Sequence, residues 1–164
     1  MKSARKQLEL VAALLYEETT LSLATTGEDG LACVAPLFYI MDKDLSLYWL
    51  SSESSLHSLN LATTPRATVT VYRSVESWRK IRGVQLRGTV NQVSEPERRD
   101  ALLAAYCKRF KLGRVLRPAL RLSTLYSFQP DFIRYIDNAR GFGYKFELKR
   151  QPEGWSLTRR SVLG

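Results

Sequence analysis

The chain has 164 residues, of which 45% are hydrophobic. This is enough for one compact domain with a core, and too apolar for a disordered chain. The net charge of +9 at pH 7 suits an anionic partner, while one histidine and two distant cysteines do not supply ordinary zinc-ligand spacing. We therefore expect a single domain over residues 1–164, located in the cytoplasm, with reduced thiols, no metal site and no membrane contact.

The N-terminal segment is amphipathic. Leu8, Val11 and Leu15 recur at helical spacing, which predicts a helix over about residues 4–16. A barrel is expected to occupy about residues 19–149, followed by a C-terminal strand or tail over 150–164. The basic start with a short apolar stretch fits this helix better than a secretory signal.

Strand-like segments follow the first helix. The first three are separated by turns too short for crossover helices, so they predict an antiparallel meander. Pro36 has no backbone N–H to donate, so its strand should lie at a sheet edge or carry a bulge. Strands are predicted at 20–25, 31–40, 45–50, 66–72 and 80–93 and within 124–136, 144–149 and 154–159, and helices at 54–62 and 95–110. The sum is a mainly β (α+β) chain, an antiparallel barrel or sandwich with peripheral helices.

Residues 51–58 read SSESSLHS and contain the only histidine. At a helix start, hydroxyls and free backbone N–H groups converge on whatever lies there, so Ser51, Ser52 and Ser55 could donate to phosphate oxygens. His57 could add a donor or a charge. The alternative is plain capping by Ser52 or Ser54, with His57 half exposed. Either way, Leu56 and Leu59 are expected on the buried side of the helix.

The strand over 80–93 has two different faces. Alternation places Val84, Leu86 and Val90 on one face and Gly83 and Gln85 on the other. Gly83 leaves bare backbone beside the two-way hydrogen-bonding amide of Gln85, an arrangement on which a flat heterocycle could stack. Gly83 and Gly88 could equally mark bulges that bend a long strand.

The segment DNARGFGYK, residues 137–145, predicts a tight loop. Gly141 and Gly143 bracket Phe142, so the loop should hold an aromatic ring, with Lys145 leaving it on a strand. Two near-adjacent glycines can form an anion-binding nest, but they are also common in plain hairpins. The residues alone do not decide between these readings.

Residues 98–121 carry eight basic side chains and one acidic one. Such a block can hold an anionic ligand or nucleic acid, or it can be a solvated helix face. A nucleic-acid-binding barrel would use tyrosines and tryptophans as stacking platforms. Because these aromatic residues sit in core-like strand positions, the sequence argues against nucleic acid as the partner.

Taken in order, the motifs resemble a known family. The chain resembles the flavin-binding split barrels related to pyridoxamine 5'-phosphate oxidase, and most closely their YhbP-type branch. The resemblance covers about residues 5–149. It rests on the segments LYWLSSESSLHSL and PRATVTVY, a following tryptophan, IRGVQLRGTV and the DN–GFG–K segment, in that order. The resemblance implies an antiparallel six-stranded Greek-key split β-barrel with peripheral helices. It also implies a homodimer with flavin mononucleotide (FMN) in a groove between subunits. Whether that flavin serves an oxidoreductase acting on a small substrate is left open.

The resemblance also implies which residues contact the cofactor. Backbone groups of the second strand would meet the flavin ring, the serine-rich turn its phosphate, and a second subunit would bring the glycine loop. No side chain is implied as a catalytic acid or base. The implied positions are Ala35, Pro36 and Leu37, then Ser51, Ser52, Ser55 and His57, then Gly83 or Gln85, and Phe142 and Lys145 from the second subunit.

One position departs from the family pattern. Leu56 stands where the family usually has arginine, and losing one charge-assisted phosphate contact costs about 1.5–3 kcal/mol, or roughly ten- to hundredfold in affinity. Arg66, Lys80, Arg82 or a residue of the 98–121 segment would have to compensate. The alternative is a non-catalytic module for haem, a deazaflavin or another anionic ligand, with His57 as the sole candidate haem ligand.

Overall fold

The structure, a computed structural model, describes residues 2–113 and 116–162. Within those ranges no helix is both long and apolar enough to cross a membrane. The helices are α1 (Lys2–Glu17), α2 (Leu56–Thr63), α3 (Pro96–Arg109) and α4 (Arg117–Leu122). The strands are β1 (Thr20–Thr26), β2 (Ala32–Phe38), β3 (Ile40–Met41), β4 (Leu47–Ser51), β5 (Arg66–Tyr72), β6 (Arg82–Gln92), β7 (Thr124–Asp137), β8 (Lys145–Gln151) and β9 (Gly154–Ser161).

All of these strands pair antiparallel in one sheet, in the order β2-β1-β5-β6-β7-β4-β3, and β8 and β9 continue from β7. The 14-residue β7 organises the sheet. One of its edges pairs with β6, while its other edge pairs with β4 near Thr124 and with β8 near Ile136. The sheet therefore divides beyond β7 into two branches and forms a half-barrel.

The core fills the enclosed side of this half-barrel. Alternate side chains of β1, β5 and β6 point into it, and α1 closes it with Val11, Leu14 and Leu15. Trp49 and Phe128 are completely buried at its centre. Burying each such side chain contributes about 1.5–3 kcal/mol. Because apolar residues alternate with period two along these strands, a sheet places all of them on the buried face.

The predicted class, mainly antiparallel β with a split barrel and peripheral helices, is confirmed. The described residues form nine strands rather than six. The meander was only partly right, because β1 and β2 form the expected hairpin but β4 pairs with β3 and β7 instead of β2. Three consecutive residues of β4 are buried, so this strand needs neighbours over both faces and lies inside the sheet.

The expectation for Pro36 is confirmed. β2 lies at the end of the strand order, and Pro36 pairs with Ser22 of β1 on its inner side. An edge strand has one row of backbone groups that faces no neighbour in the sheet. The N–H group that proline lacks is therefore tolerated there.

The predicted orientation of α2 was wrong. Leu56 and Leu59 are exposed, with 61% and 55% of their surface accessible, whereas His57, Ser58 and Asn60 are buried. Hydrogen bonds set this orientation: the Asn60 amide donates to Thr25 Oγ1 on β1 at 3.1 Å. A helix of eight residues has little apolar face to bury, so its polar anchors decide which side faces inward.

The two faces of β6 are as predicted, with Val84, Leu86 and Val90 buried. The pairing register with β7 shifts between Arg87 and Gly88, so Gly88 marks a bulge. A Cβ added at Gly88 would lie 2.8 Å from the Gln129 carbonyl carbon and 2.9 Å from Phe128. Gly83 lies in regular pairing opposite Tyr72 and Ile136, so the bulge interpretation does not extend to it.

Candidate functional site

Five serines and the single histidine gather where β4 ends and α2 begins. We call Ser51, Ser52, Ser54, Ser55, His57 and Ser58 the serine cluster. Ser51 is the last residue of β4, and Ser55 is the N-cap of α2. His57 Nε2 lies 2.8 Å from Ser51 Oγ and 3.1 Å from Ser55 Oγ. The structure thus brings together the four predicted residues of this segment, Ser51, Ser52, Ser55 and His57.

The Ser55 hydroxyl is shared by several neighbours. It donates towards the Ser52 carbonyl oxygen and Ser58 Oγ, each at 2.8 Å, and also lies 3.1 Å from Ser51 Oγ. A hydroxyl has one proton and two lone pairs, so Ser55 can donate only one of these bonds at a time. The cluster is held together by its own hydroxyl groups.

The start of α2 has free backbone donors. Capping by Ser52 or Ser54 was wrong: Ser55 is the N-cap, and its side chain makes no hydrogen bond to the first-turn N–H groups. Ser52 Oγ instead accepts from the Ser54 N–H at 3.3 Å, within the turn. The first N–H groups of the helix therefore point towards the cluster without an intrahelical acceptor.

His57 is buried rather than half exposed, with 8% of its surface accessible. Burial lowers the pKa of its imidazole below the ordinary value of 6.5, because desolvation disfavours the charged ring. The ring is therefore neutral at pH 7. It can donate or accept a hydrogen bond according to its tautomer, but it does not bring the positive charge considered from the sequence.

The charge near the cluster is negative. Glu53 lies in the same turn, and one of its carboxylate oxygens accepts from Thr124 Oγ1 at 2.8 Å. Thr124 itself is the cross-strand neighbour of Ser51. Leu56 presents an exposed apolar side chain at the helix start. Neither Glu53 nor Thr124 was singled out from the sequence, because their pairing depends on β4 lying beside β7.

Five of the cations considered as replacements for arginine contact other protein groups. Arg66 pairs with Asp131 at 2.6 Å, and Arg82 pairs with Glu17. Arg99 donates to the carbonyl oxygens of Arg121 and Ser123, at 2.8 and 2.9 Å. Other basic residues of 98–121 hold α3 in place: Arg98 donates to Tyr48 Oη and Arg109 to the Tyr16 carbonyl, while Arg114 lies outside the described residues.

A second group of predicted residues surrounds the start of β6. Gly83 and Gln85 line a recess of about 380 Å³ together with Arg82, which the sequence suggested for another role, and with side chains that it did not single out. Gly83 pairs with Ile136 of β7, which in turn pairs with Lys145 of β8. These three form one row across the sheet. The other lining residues include Thr70, Tyr72, Arg82 and Ile136.

The glycine loop lies beside this row. Gly141 and Gly143 have φ angles of +132° and +68°, which L-residues adopt only with strain, so the tight loop predicted around Phe142 is present. Phe142 packs edge-on against Trp78 with ring centroids 5.3 Å apart, and both rings remain half exposed. The Gly143 N–H donates to the Asn138 side chain at 3.1 Å.

The predicted site residues of the second strand lie apart from both of these groups, on β2. Ala35, Pro36 and Leu37 pair with Leu23, Ser22 and Leu21 in the middle of edge strand β2. Leu37 packs towards the core, and Pro36 faces outward. Helix α2 packs against both β1 and β2, so these backbone groups belong to the part of the sheet that supports the serine cluster.

The serine cluster and the Gly83 row lie near opposite ends of β7. Ser51 pairs with Thr124 at its start, and Gly83 pairs with Ile136 near its end. At about 3.3 Å per residue, this separation corresponds to roughly 40 Å measured along the strand. A shorter path joins the two groups through β1 and β5, because Asn60 of α2 contacts Thr25 of β1, and Thr70 of β5 pairs with both Ser22 and Gln85.

The antiparallel half-barrel, with a polar helix start at one end and a glycine-lined recess at the other, places this chain in the class of split-barrel proteins. The family model described as pyridoxamine 5'-phosphate oxidase matches residues 8–137, and the chain belongs to this family. Among curated relatives, a UPF0306 protein of Citrobacter koseri is 31% identical over 148 residues, covering 88% of this chain and 95% of that protein. The UPF0306 protein YhbP of Salmonella paratyphi C is 29% identical over 144 residues, covering 87% and 93% of the two chains.

Solved structures agree on the fold. A pyridoxamine 5'-phosphate oxidase-related, FMN-binding protein of Nostoc punctiforme superposes with a TM-score of 0.65 at 15% identity, covering 99% of this chain and 96% of that one. The haem storage protein HutZ of Vibrio cholerae superposes with a TM-score of 0.63 at 18% identity, covering 74% and 88%. At such identities the likeness concerns the fold alone.

Proposed function

We propose that this chain is a flavin-binding split barrel that acts as a homodimer. The ligand would lie in a groove between two copies, with the serine cluster of one copy at its polar end and the Gly83 row of the other beside its ring. Lys145 and Phe142 of the second copy would border the same groove. A bound flavin would supply electron-transfer chemistry, and no side chain of this chain is assigned to proton transfer.

The observation that carries this proposal is the open recess beside Gly83, in a chain whose residues 8–137 match this family. The glycine loop beside the recess presents Phe142 against Trp78, and both rings leave about half of their surface exposed, as expected for a surface that another molecule covers. Two copies arranged in opposite senses would bring the start of one β7 near the end of the other. In this proposal a second copy covers the recess, and the homodimer is part of the site.

The recess at Gly83 fits a flat ring. Gly83 leaves its backbone uncovered by a side chain. The exposed Gln85 amide offers both a donor and an acceptor to the edge of a heterocycle. On the other side of the groove, the edge-strand backbone of Ala35, Pro36 and Leu37 would contact the ring. These contacts would orient the ring without adding charge to it.

The phosphate of FMN fits less well. The helix N–H groups and the hydroxyls of the cluster suit an oxygen-rich group, but the cluster contains no arginine or lysine, its turn holds the acidic Glu53, and His57 is neutral. We therefore propose flavin as the ligand class and treat FMN as the form to be tested first.

Haem is the second candidate, suggested by the fold shared with HutZ. His57 would be its axial ligand, but Nε2 of this ring already lies within hydrogen-bonding distance of Ser51 and Ser55 and is buried. Binding iron through that atom would require the cluster to open. Flavin requires no such rearrangement, so we prefer it.

The test begins with the visible spectrum of the purified protein and titration with FMN and with haem. Flavin absorbance, or saturable quenching of added flavin fluorescence, supports the proposal. A Soret band with no flavin uptake supports the haem alternative. A colourless protein that takes up neither ligand contradicts both proposals.

The shared groove can be tested by mixing two blocked chains. Ser52→Trp should block the serine cluster and Gln85→Trp the ring side, both at exposed positions. Each variant alone should lose flavin binding. Co-expressed with different tags and purified as a mixed dimer, the two should regain one site per dimer. If both halves of the site came from the same chain, the mixed dimer would bind no flavin.

A further inference from the structure

The hydroxyl groups of the serine cluster bond to one another. Ser55 Oγ donates to either the Ser52 carbonyl or Ser58 Oγ, and Ser51 Oγ lies next to both Ser55 Oγ and His57 Nε2. The Ser52 and Ser54 hydroxyls, 2.8 Å apart, share a bond of their own. Because each hydroxyl has a single proton, a serine whose proton is shared within the cluster offers only lone pairs to a ligand.

The charge of the turn acts in the same direction. The turn contains the acidic residue Glu53, and one of its carboxylate oxygens accepts from Thr124 Oγ1. Leu56, at the first position of α2, brings no charge to the helix start. A phosphate dianion placed here would share this turn with the Glu53 carboxylate.

The remaining donors do not require an anion. The backbone N–H groups at the start of α2 can donate to a phosphate oxygen or to a hydroxyl oxygen. A polyol can accept from these groups and also donate to the serine oxygens and to Glu53. A phosphate dianion only accepts, and would leave those lone pairs without donors.

We infer that the serine cluster receives the uncharged polyol end of its ligand and discriminates against a phosphate. This inference rests on the proposed function. For a flavin, it means that riboflavin, whose ribityl chain ends in a hydroxyl, binds at least as tightly as FMN.

Parallel titrations of the purified protein with riboflavin and FMN test the inference, using fluorescence quenching at one ionic strength and pH 7.5. We expect riboflavin to bind as tightly as FMN or more tightly. FMN binding measurably tighter than riboflavin would overturn the inference and leave flavin binding in place. Binding of neither flavin to a folded protein, checked by circular dichroism, would overturn the proposed function and the inference together.

A matched pair of variants locates the effect. Leu56→Arg places a guanidinium at the helix start and should shift the preference towards FMN by roughly ten- to hundredfold. Leu59→Arg adds the same charge at another exposed leucine one turn further along α2, where screening should limit the shift to about threefold. Equal shifts in the two variants would contradict a specific site at the helix start.

A third variant tests the carboxylate itself. Glu53→Gln keeps an oxygen to accept from Thr124 but removes the charge. FMN affinity should rise by about two- to fivefold, as expected for an exposed charge, and riboflavin affinity should change little. Unchanged FMN affinity would show that Glu53 does not face the ligand and would contradict the inference.

Discussion

At the start of α2 the polar side chains are hydrogen-bonded to one another, whereas near Gly83 of β6 aromatic side chains are exposed to solvent. His57 is almost fully buried among serines, while Trp78 and Phe142 each leave about half of their surface exposed. One region is complete within a single chain. The other has an exposed aromatic pair and an open recess, which is the expected character of a surface covered by another molecule.

This difference assigns separate roles to the two regions. Internal hydrogen bonds fix the positions of the serine hydroxyls before any ligand arrives, so the cluster can select a ligand by its pattern of donors and acceptors. The Gly83 region offers area and flatness instead of a fixed pattern. In the proposed dimer, we therefore expect α2 to determine ligand selectivity, and the region near β6 to provide the contact between copies and the stacking on the ligand ring.

The largest expected effect comes from filling the bulge that bends β6. Gly88→Ala forces a methyl group against Gln129 and Phe128, and should lower the free energy of unfolding by about 2–3 kcal/mol. Urea denaturation measures this change. Gly83→Ala is the matched control, because its methyl group would lie 3.2 Å from Tyr72 Cβ and should cost less than about 1 kcal/mol. Equal losses would mean that the bulge is not under steric constraint.

The next effect tests the anchor of α2. Asn60→Ala removes the amide that donates to Thr25 Oγ1 in a buried position, and should lower the free energy of unfolding by about 1–2 kcal/mol. Leu59→Ala, on the same helix but exposed, should stay within about 0.5 kcal/mol of the parent. A larger loss at Leu59 would indicate that the apolar face of α2 is covered in solution.

A double-mutant cycle measures the exposed aromatic pair. Trp78→Ala and Phe142→Ala should show a coupling energy of about 0.5–1 kcal/mol, as expected for an edge-to-face contact. Trp78→Ala combined with Leu56→Ala, which lies on α2, should be additive. Additivity in the first cycle would contradict the packing of the glycine loop on Trp78.

The smallest expected effect is the pH dependence due to His57. Burial lowers the pKa of this ring in the folded protein, so below the unfolded pKa of about 6.5 the unfolded chain binds more protons. Stability should therefore fall as the pH drops through about 6.5, with a slope below about 1.4 kcal/mol per pH unit. His57→Gln should lack this component, and denaturation of both proteins from pH 7.5 to 5.5 would measure it. Parallel profiles would contradict the burial of a neutral ring.

Local sequence patterns predicted the helices and strands well, but they predicted poorly which strands pair in the sheet. The period of two in β6 and the proline in β2 predicted a buried face and an edge strand, and both are confirmed. The position of β4 was missed because pairing with β7 joins residues more than 70 positions apart, such as Ser51 and Thr124. No local pattern records such a pairing.

The candidate site was predicted in the same uneven way. The sequence predicted a serine-rich helix start around His57 and a glycine loop around Phe142, and both are present. It did not predict that His57 would be buried and Leu56 exposed. In a helix of eight residues, the bond from Asn60 to Thr25 outweighs the small apolar gain of burying leucines.

By itself, the sequence determined the family and the mainly antiparallel architecture, because both depend on residue type and short-range spacing. Only the tertiary structure decided which hydroxyls share protons and that Glu53 and Thr124 meet beside Ser51. It also decided that the two polar regions lie at opposite ends of β7. The last two features depend on strand pairing between distant segments, which is fixed by burial of the whole core.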